Sequence, residues 1–280
     1  RLVKHCKWLI DNNVGLAVFG TNSEANSMST REKLRLLDAL AESGLPTERM
    51  MPGTGACALD DSVELTKRAV ELGCGGVLML PPFYYKGVPE EGLYRNFSEI
   101  IQRVGDDRLR IYLYHIPPVA QVGRPLGLIE RLLKDYPGFV AGAKDSSGDW
   151  SNTKAMIDNF AAQGFDVYTG SESFLLQAMR AGGAGCISAT ANVNPGPIAK
   201  LAATWQGDDA DAQQEGLNVT RGIFQTYVMI PALKAAIAHY GRDPEWNRLR
   251  PPLVELTADE QKDLVAKLDA SGFAMPGLAA

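Results

Sequence analysis

The chain has 280 residues, 45% hydrophobic and 22% charged, with a formal net charge of −5. That composition suits one large globular core and excludes a disordered or low-complexity chain. An acidic balance without a long basic run argues against nucleic acid as a partner, and no apolar run approaches the roughly 20 residues a membrane helix needs.

A helical pattern opens the chain at Leu2, Val3, Cys6, Leu9 and Ile10, and no secretory leader is visible. Short apolar runs then alternate with amphipathic stretches. Strands are predicted over 15–20, 49–53, 76–81, 110–116, 139–144, 166–170 and 185–190. Helices are predicted over 30–43, 59–72, 92–104, 126–135, 151–163 and 173–181, with Thr30 and Asp60 as N-caps. Strict alternation of strand and helix implies a parallel sheet covered by helices. No Gly-x-Gly-x-x-Gly follows the first strand, so a dinucleotide site is not indicated.

Seven strands fall one short of a closed (β/α)8 TIM barrel. The expectation is such a barrel with its first strand missing from these residues; the alternative is an open, doubly wound sheet. After Ala191 the pattern turns helical, over 195–205, from 210 to roughly 240, and over 259–268. Pro231 should start or kink a helix, and Pro251-Pro252 should mark a turn. The chain therefore divides into a barrel, 1–195, and C-terminal helices packed on it, 196–280.

The four cysteines, Cys6, Cys57, Cys74 and Cys186, have no metal-site or disulfide spacing; free thiols in a reducing, cytoplasmic setting are expected. The histidines His5, His115 and His239 are scattered and suggest no metal ligation.

Chemistry-bearing residues gather at the ends of the predicted strands. Lys144 closes the small, apolar run Phe139-Val-Ala-Gly-Ala-Lys144. Poor access to water disfavours its ammonium form and frees the amine to attack a carbonyl, although a lysine that merely ends a strand has the same local sequence. Gly20-Thr21-Asn22 offers amides, a hydroxyl and a carboxamide suited to a small carboxylate, or else an ordinary loop before the next helix. Tyr114 can relay a proton or pack as a core aromatic. The loop Pro81-Pro82-Phe83-Tyr84-Tyr85-Lys86 can wall a pocket or cross a subunit boundary. In a (β/α)8 barrel the active site lies at the carboxyl ends of the strands, where these groups would converge.

In this order the segments Gly20-Thr21-Asn22-Ser23-Glu24, Leu80-Pro81-Pro82-Phe83-Tyr84-Tyr85, Tyr114-His115-Ile116-Pro117, Gly142-Ala143-Lys144-Asp145-Ser146 and Gly185-Cys186-Ile187-Ser188-Ala189-Thr190 resemble the dihydrodipicolinate synthase / N-acetylneuraminate lyase family over nearly the whole chain. The resemblance implies a TIM barrel with a helical extension, often a homotetramer built from dimers. It also implies a lyase that joins or splits a carbon–carbon bond next to pyruvate or another 2-oxo acid, with an aldehyde partner and no cofactor beyond the imine. Lys144 would form the imine and Tyr114 would relay protons. Gly20, Thr21 and Asn22 would hold the carboxylate, with Ser146, Gly170 and Ile187 lining the pocket. Tyr85, or Tyr84, would reach a neighbouring subunit. Family members also begin with one more strand than is seen here.

Three departures bear on substrate. Ser23 stands where the family has glycine, and a positive φ there would strain serine. Val119 replaces the arginine that dihydrodipicolinate synthases use for a second carboxylate, and Arg124 is out of register. Ala189 lacks the hydroxyl of sialate lyases. Aldolases of 4-hydroxy-2-oxoglutarate or 2-keto-3-deoxy sugar acids fit better than dihydrodipicolinate synthase itself. A non-catalytic barrel that binds a 2-oxo acid is the reading from a different class.

Overall fold

The computed structural model describes residues 1–123 and 125–279. Five strands form one parallel sheet in the order β1 (Val77–Met79), β2 (Ile111–His115), β3 (Val140–Asp145), β4 (Asp166–Thr169) and β5 (Gly185–Cys186). Two further staves join β1 through single parallel bridges, Leu16 to Met50 and Gly53 to Leu78. The expected strands over 15–20 and 49–53 are therefore present as bridge-paired backbone, with Leu16 N–H donating to Arg49 and Met51 N–H to Leu16. A positive φ of 61° at Phe19 and the missing N–H of Pro52 keep these staves from longer regular ladders.

Neighbours in the sheet are neighbours in sequence throughout, and the helices lie between them. A doubly wound sheet reverses its strand order at a switch point. This one never does, which is the winding of a barrel. The predicted strand 185–190 shortens to β5 because Ala189 turns helical and a 3-10 turn takes Thr190–Asn192.

Helices α1 (Leu2–Asp11), α2 (Thr30–Glu42), α3 (Leu59–Glu71), α4 (Glu90–Val104), α5 (Pro117–Ala120), α6 (Leu126–Asp135), α7 (Trp150–Phe160) and α8 (Leu175–Arg180) fill the connections. Two predicted caps move. Ser29, not Thr30, caps α2, in a capping box with Glu32. Ala58 precedes α3 without a side-chain cap, so Asp60 is not a cap but an acidic group in the first turn, where the helix dipole favours it and Arg103 pairs with it at 3.1 Å. The C-terminal helices are α9 (Pro195–Thr204), α10 (Ala210–Gln225), α11 (Met229–Tyr240) and α12 (Ala258–Ala270). The long helical stretch expected from 210 to 240 breaks in two, and Pro231 lies in the first turn of α11, where a lost N–H costs nothing. No helix among the described residues is long and apolar enough to cross a membrane.

One core cluster joins α3, α4, α6 and α7 to the sheet through Phe97, Ile100, Ile111, Leu113 and Val167. A second brings α1, α11 and α12 together beneath the first two staves, through Cys6, Leu9, Leu16, Met50, Leu233, Leu264 and Leu268. The C-terminal helices thus share a core with the staves that carry Thr21 and Asn22.

His5 is buried between the rings of Trp8 and Trp246, and neither ring nitrogen has a partner among the described residues. Burial holds its pKa down at about 4, from 6.5. The folded state therefore keeps His5 neutral while the unfolded chain protonates it below pH 6.5. Its stabilising contribution is present above pH 6.5 and is lost as pH falls toward 4, a difference of roughly 3 kcal/mol. His5→Phe should flatten the acid limb of the stability curve, read as the urea midpoint between pH 7 and pH 4. An unchanged slope would contradict this assignment.

Candidate active site

Register brings the candidate residues side by side. Tyr114 on β2 pairs with Lys144 on β3, and Lys144 pairs with Tyr168 on β4, so the three stand in one row. The Lys144 Nζ lies 4.2 Å from the centroid of the Tyr114 ring, and the lysine is only 5% exposed. The Tyr114 hydroxyl is 3.2 Å from Thr21 Oγ1, which links the lysine row to the loop after the first stave.

The row below forms a floor. Tyr112 pairs with Gly142, and Gly142 with Asp166. The Tyr112 ring passes over Gly142, and its hydroxyl donates to Asp166 at 3.1 Å. A Cβ on Gly142 would sit 2.3 Å from the Asp166 carbonyl oxygen and 2.8 Å from the Tyr112 ring. Gly142→Ala should therefore cost about 1–3 kcal/mol by overpacking and displace the strand end that carries Lys144. A melting temperature and lyase activity both at wild-type level would refute that.

Beyond Lys144, Asp145 anchors the strand end. It accepts hydrogen bonds from Ser147 N–H and hydroxyl, Asn152 Nδ2 and Thr153 Oγ1, at 2.6 to 3.0 Å. Ser146 then packs so tightly against Gly170 that a Cβ there would fall 2.0 Å from Ser146 Oγ.

A cavity of about 470 Å³ opens in front of this row. Gly20, Thr21, Asn22, Lys144, Ile187, Ser188 and Asn192 line one part of it, and it continues down to His5, Cys6 and Leu9 of α1. It spans the interval between Leu16–Val18 and Cys186, the two ends of the row of staves. Lys144, Gly20, Thr21, Asn22 and Ile187 are thus brought together on one wall. Tyr114 adjoins them in a small neighbouring cavity with Gly20 and Thr21. Ser146 and Gly170 lie two residues beyond the Lys144 row. Tyr84 and Tyr85 stand apart, edge to face on an exposed loop, with Tyr85 73% exposed.

The Thr21–Ser23 segment is a 3-10 turn held by Ser23 N–H to Gly20 and Glu24 N–H to Thr21. Those bonds leave the amides of Thr21 and Asn22 for another acceptor. Ser23 does not carry the positive φ that its replacement of glycine suggested. The left-handed residue is Glu24, at φ 55°. Arg124 lies outside the described residues.

Ser188 of the cavity lining is bound to a buried carboxylate. Glu172 is fully buried and accepts from the hydroxyls of Ser188 and Thr190, with Arg221 Nη1 of α10 at 3.5 Å from it and 3.2 Å from Ser188. Burial, reinforced by Glu172, pushes the Cys186 thiol well above its ordinary range. Burial raises the Cys6 and Cys74 thiols to about 11. Burial, then Asp166, raises the phenols of Tyr112 and Tyr168. These groups stay protonated at neutral pH. Among the described residues, no group of three or more His, Cys, Asp or Glu is arranged to hold a metal ion.

The profile of the dihydrodipicolinate synthetase family matches residues 2–271. The chain belongs to that family. A DapA-like lyase of Chloroflexus aurantiacus is 35% identical over 263 residues, 91% of this chain and 85% of the relative. The 4-hydroxy-tetrahydrodipicolinate synthase of Methanococcoides burtonii is 31% identical over 277 residues, 97% of this chain and 91% of the relative. The dihydrodipicolinate synthase of Agrobacterium tumefaciens superposes with a TM-score of 0.88 at 27% identity, covering 96% of this chain and 91% of that one. A Sulfolobus solfataricus 2-keto-3-deoxygluconate aldolase variant shares the fold, with a TM-score of 0.84 at 21% identity, over 96% of this chain and 88% of the other.

This member of the dihydrodipicolinate synthetase family is a TIM-barrel lyase with a helical C-terminal part. Two features of its site escaped the sequence reading. Glu24 and Glu172 were visible only as parts of strand-end segments, and their partners Lys234 and Arg221 sit on C-terminal helices where isolated basic residues carry no local signal.

Proposed function

We propose that this protein is a Schiff-base-forming lyase acting on pyruvate or a related 2-oxo acid, of the type that makes or cleaves 4-hydroxy-2-oxoglutarate or 2-keto-3-deoxy sugar acids. The observation that carries the reading is the buried Lys144 amine at a cavity wall, stacked on Tyr114, whose hydroxyl meets Thr21. The neutral amine adds to the C2 carbonyl of the oxo acid, and the carbinolamine loses water to give a protonated imine. Loss of a C3 proton gives an enamine, which adds to an aldehyde carbonyl; water then hydrolyses the imine and frees Lys144. Each step moves a proton, and Tyr114 is the group placed to relay it. The free amides of Thr21 and Asn22, with the Asn22 side chain, would hold the substrate carboxylate.

A second reading, condensation of pyruvate with aspartate semialdehyde, is favoured by the names of relatives such as that of M. burtonii. Val119 weighs against it, because a second carboxylate calls for a guanidinium fork and this position offers an exposed apolar side chain. We further assign residues 1–195 to the barrel and 196–280 to its helical extension. The exposed Tyr84–Tyr85 pair would serve as the contact of a homodimer or tetramer, with Tyr85 or Tyr84 reaching the neighbouring site. The test is a substrate panel: pyruvate release from 4-hydroxy-2-oxoglutarate and 2-keto-3-deoxy sugar acids, beside condensation of pyruvate with aspartate semialdehyde. Turnover confined to the semialdehyde would replace the first reading by the second. Saturable pyruvate binding without turnover of any partner would favour the non-catalytic barrel.

A further inference from the structure

The Thr21–Ser23 turn is tied to the C-terminal helices by one residue. Glu24 follows the turn directly, in the left-handed region at φ 55°, a conformation few non-glycine residues adopt without an external hold. Lys234 of α11 supplies that hold. Its Nζ lies 2.6 Å from Glu24 Oε1, with side chains only 18% and 10% exposed. The other carboxylate oxygen accepts the Arg250 N–H at 2.6 Å. The stitching continues along the loop: Ser27 Oγ donates to the Pro251 carbonyl at 3.0 Å, and Arg250 Nη2 reaches Glu32, the residue that completes the α2 capping box, at 3.0 Å.

We propose that Lys234 is a positioning residue for the 2-oxo-acid site. Through Glu24 it fixes the turn that presents the Thr21 hydroxyl to Tyr114 and the Thr21 and Asn22 amides to the substrate carboxylate. The inference rests on the reading of the site as an imine-forming one, and it gives the C-terminal helices a role in chemistry they do not touch. A largely desolvated ion pair can fix such geometry in a way that an exposed pair cannot, because water does not compete for either partner. Loss of the ammonium would leave the Glu24 carboxylate poorly compensated, and the turn would relax around its strained residue.

The test compares wild type, Lys234→Met, Lys234→Arg and Glu24→Gln, each checked for folding by circular dichroism. Two readouts are taken well below the melting temperature. The first is KM for pyruvate and the rate of borohydride-trapped adduct formation. The second is amide hydrogen exchange over residues 20–28. For Lys234→Met, KM should rise and trapping should slow by about 10- to 100-fold, with faster exchange confined to the loop. Lys234→Arg should recover most of the loss, and Glu24→Gln should share the defect. A folded Lys234→Met protein with KM and trapping within about twofold of wild type, or with unchanged exchange over 20–28, would overturn the proposal, whatever its melting temperature. If wild type itself forms no adduct, the imine reading fails. The hold on the loop is then judged by exchange alone.

Discussion

Replacing Lys144 by alanine should abolish turnover and adduct formation while the barrel remains folded. Among the described residues that line the cavity, Lys144 is the one lysine, so on the imine reading its loss removes the covalent route rather than weakening it. An effect of about 10⁴-fold or more on kcat is expected, as for removal of other covalent nucleophiles. Stability should move the other way or hardly at all. Lys144 is only 5% exposed, and its Nζ lies against the Tyr114 ring, 4.2 Å from the centroid. A buried amine held in this way is costly to keep. Lys144→Met, which preserves most of the volume, should melt at or above the wild-type temperature with activity still absent. A Lys144 variant that turns over at more than a few per cent of wild type would show that the chemistry lies elsewhere.

The second large effect is expected at Tyr114. Phenylalanine keeps the ring beneath the Lys144 amine and the packing on β2, and removes only the hydroxyl that meets Thr21 at 3.2 Å. If that hydroxyl relays protons, Tyr114→Phe should lower kcat by about 10²- to 10⁴-fold. The same change should alter stability by only about 1 kcal/mol, the net worth of one hydrogen bond. The pyruvate imine should still form at Lys144, more slowly. Steady-state kinetics and single-turnover trapping together separate the two steps. A kcat within threefold of wild type would reduce Tyr114 to a packing role.

Much of this site was legible along the chain because it is built from strand ends. The small residues before Lys144 mark a strand packed on both faces, and Gly142 is small because the Tyr112 ring and the Asp166 carbonyl leave it no room. Lys144 and Tyr114 are each next to last in their strands, and parallel register then sets them side by side. The first two staves were legible as apolar runs, but their single-bridge pairing was not, since it depends on backbone angles at Phe19 and on Pro52. The Ser29 cap could have been read from Ser29-x-x-Glu32; the adjacent Thr30 competes for it on residue type alone. What local sequence could not show is the pairing of Glu24 with Lys234, 210 residues away, or of Glu172 with Arg221, 49 away. Such contacts follow from how the helices after Pro195 return to the barrel. The strain expected at Ser23 fell one residue later, on Glu24, because the turn hydrogen bonds close around Ser23 in a right-handed geometry.

The most direct test of the central claim is the intact mass of the folded protein after incubation with pyruvate and borohydride, followed by peptide mapping. The expected result is one reduced pyruvate adduct, carried by Lys144 and absent from Lys144→Ala. No adduct on the folded wild-type protein, or an adduct on another lysine, would contradict the assignment of Lys144 as the imine-forming residue.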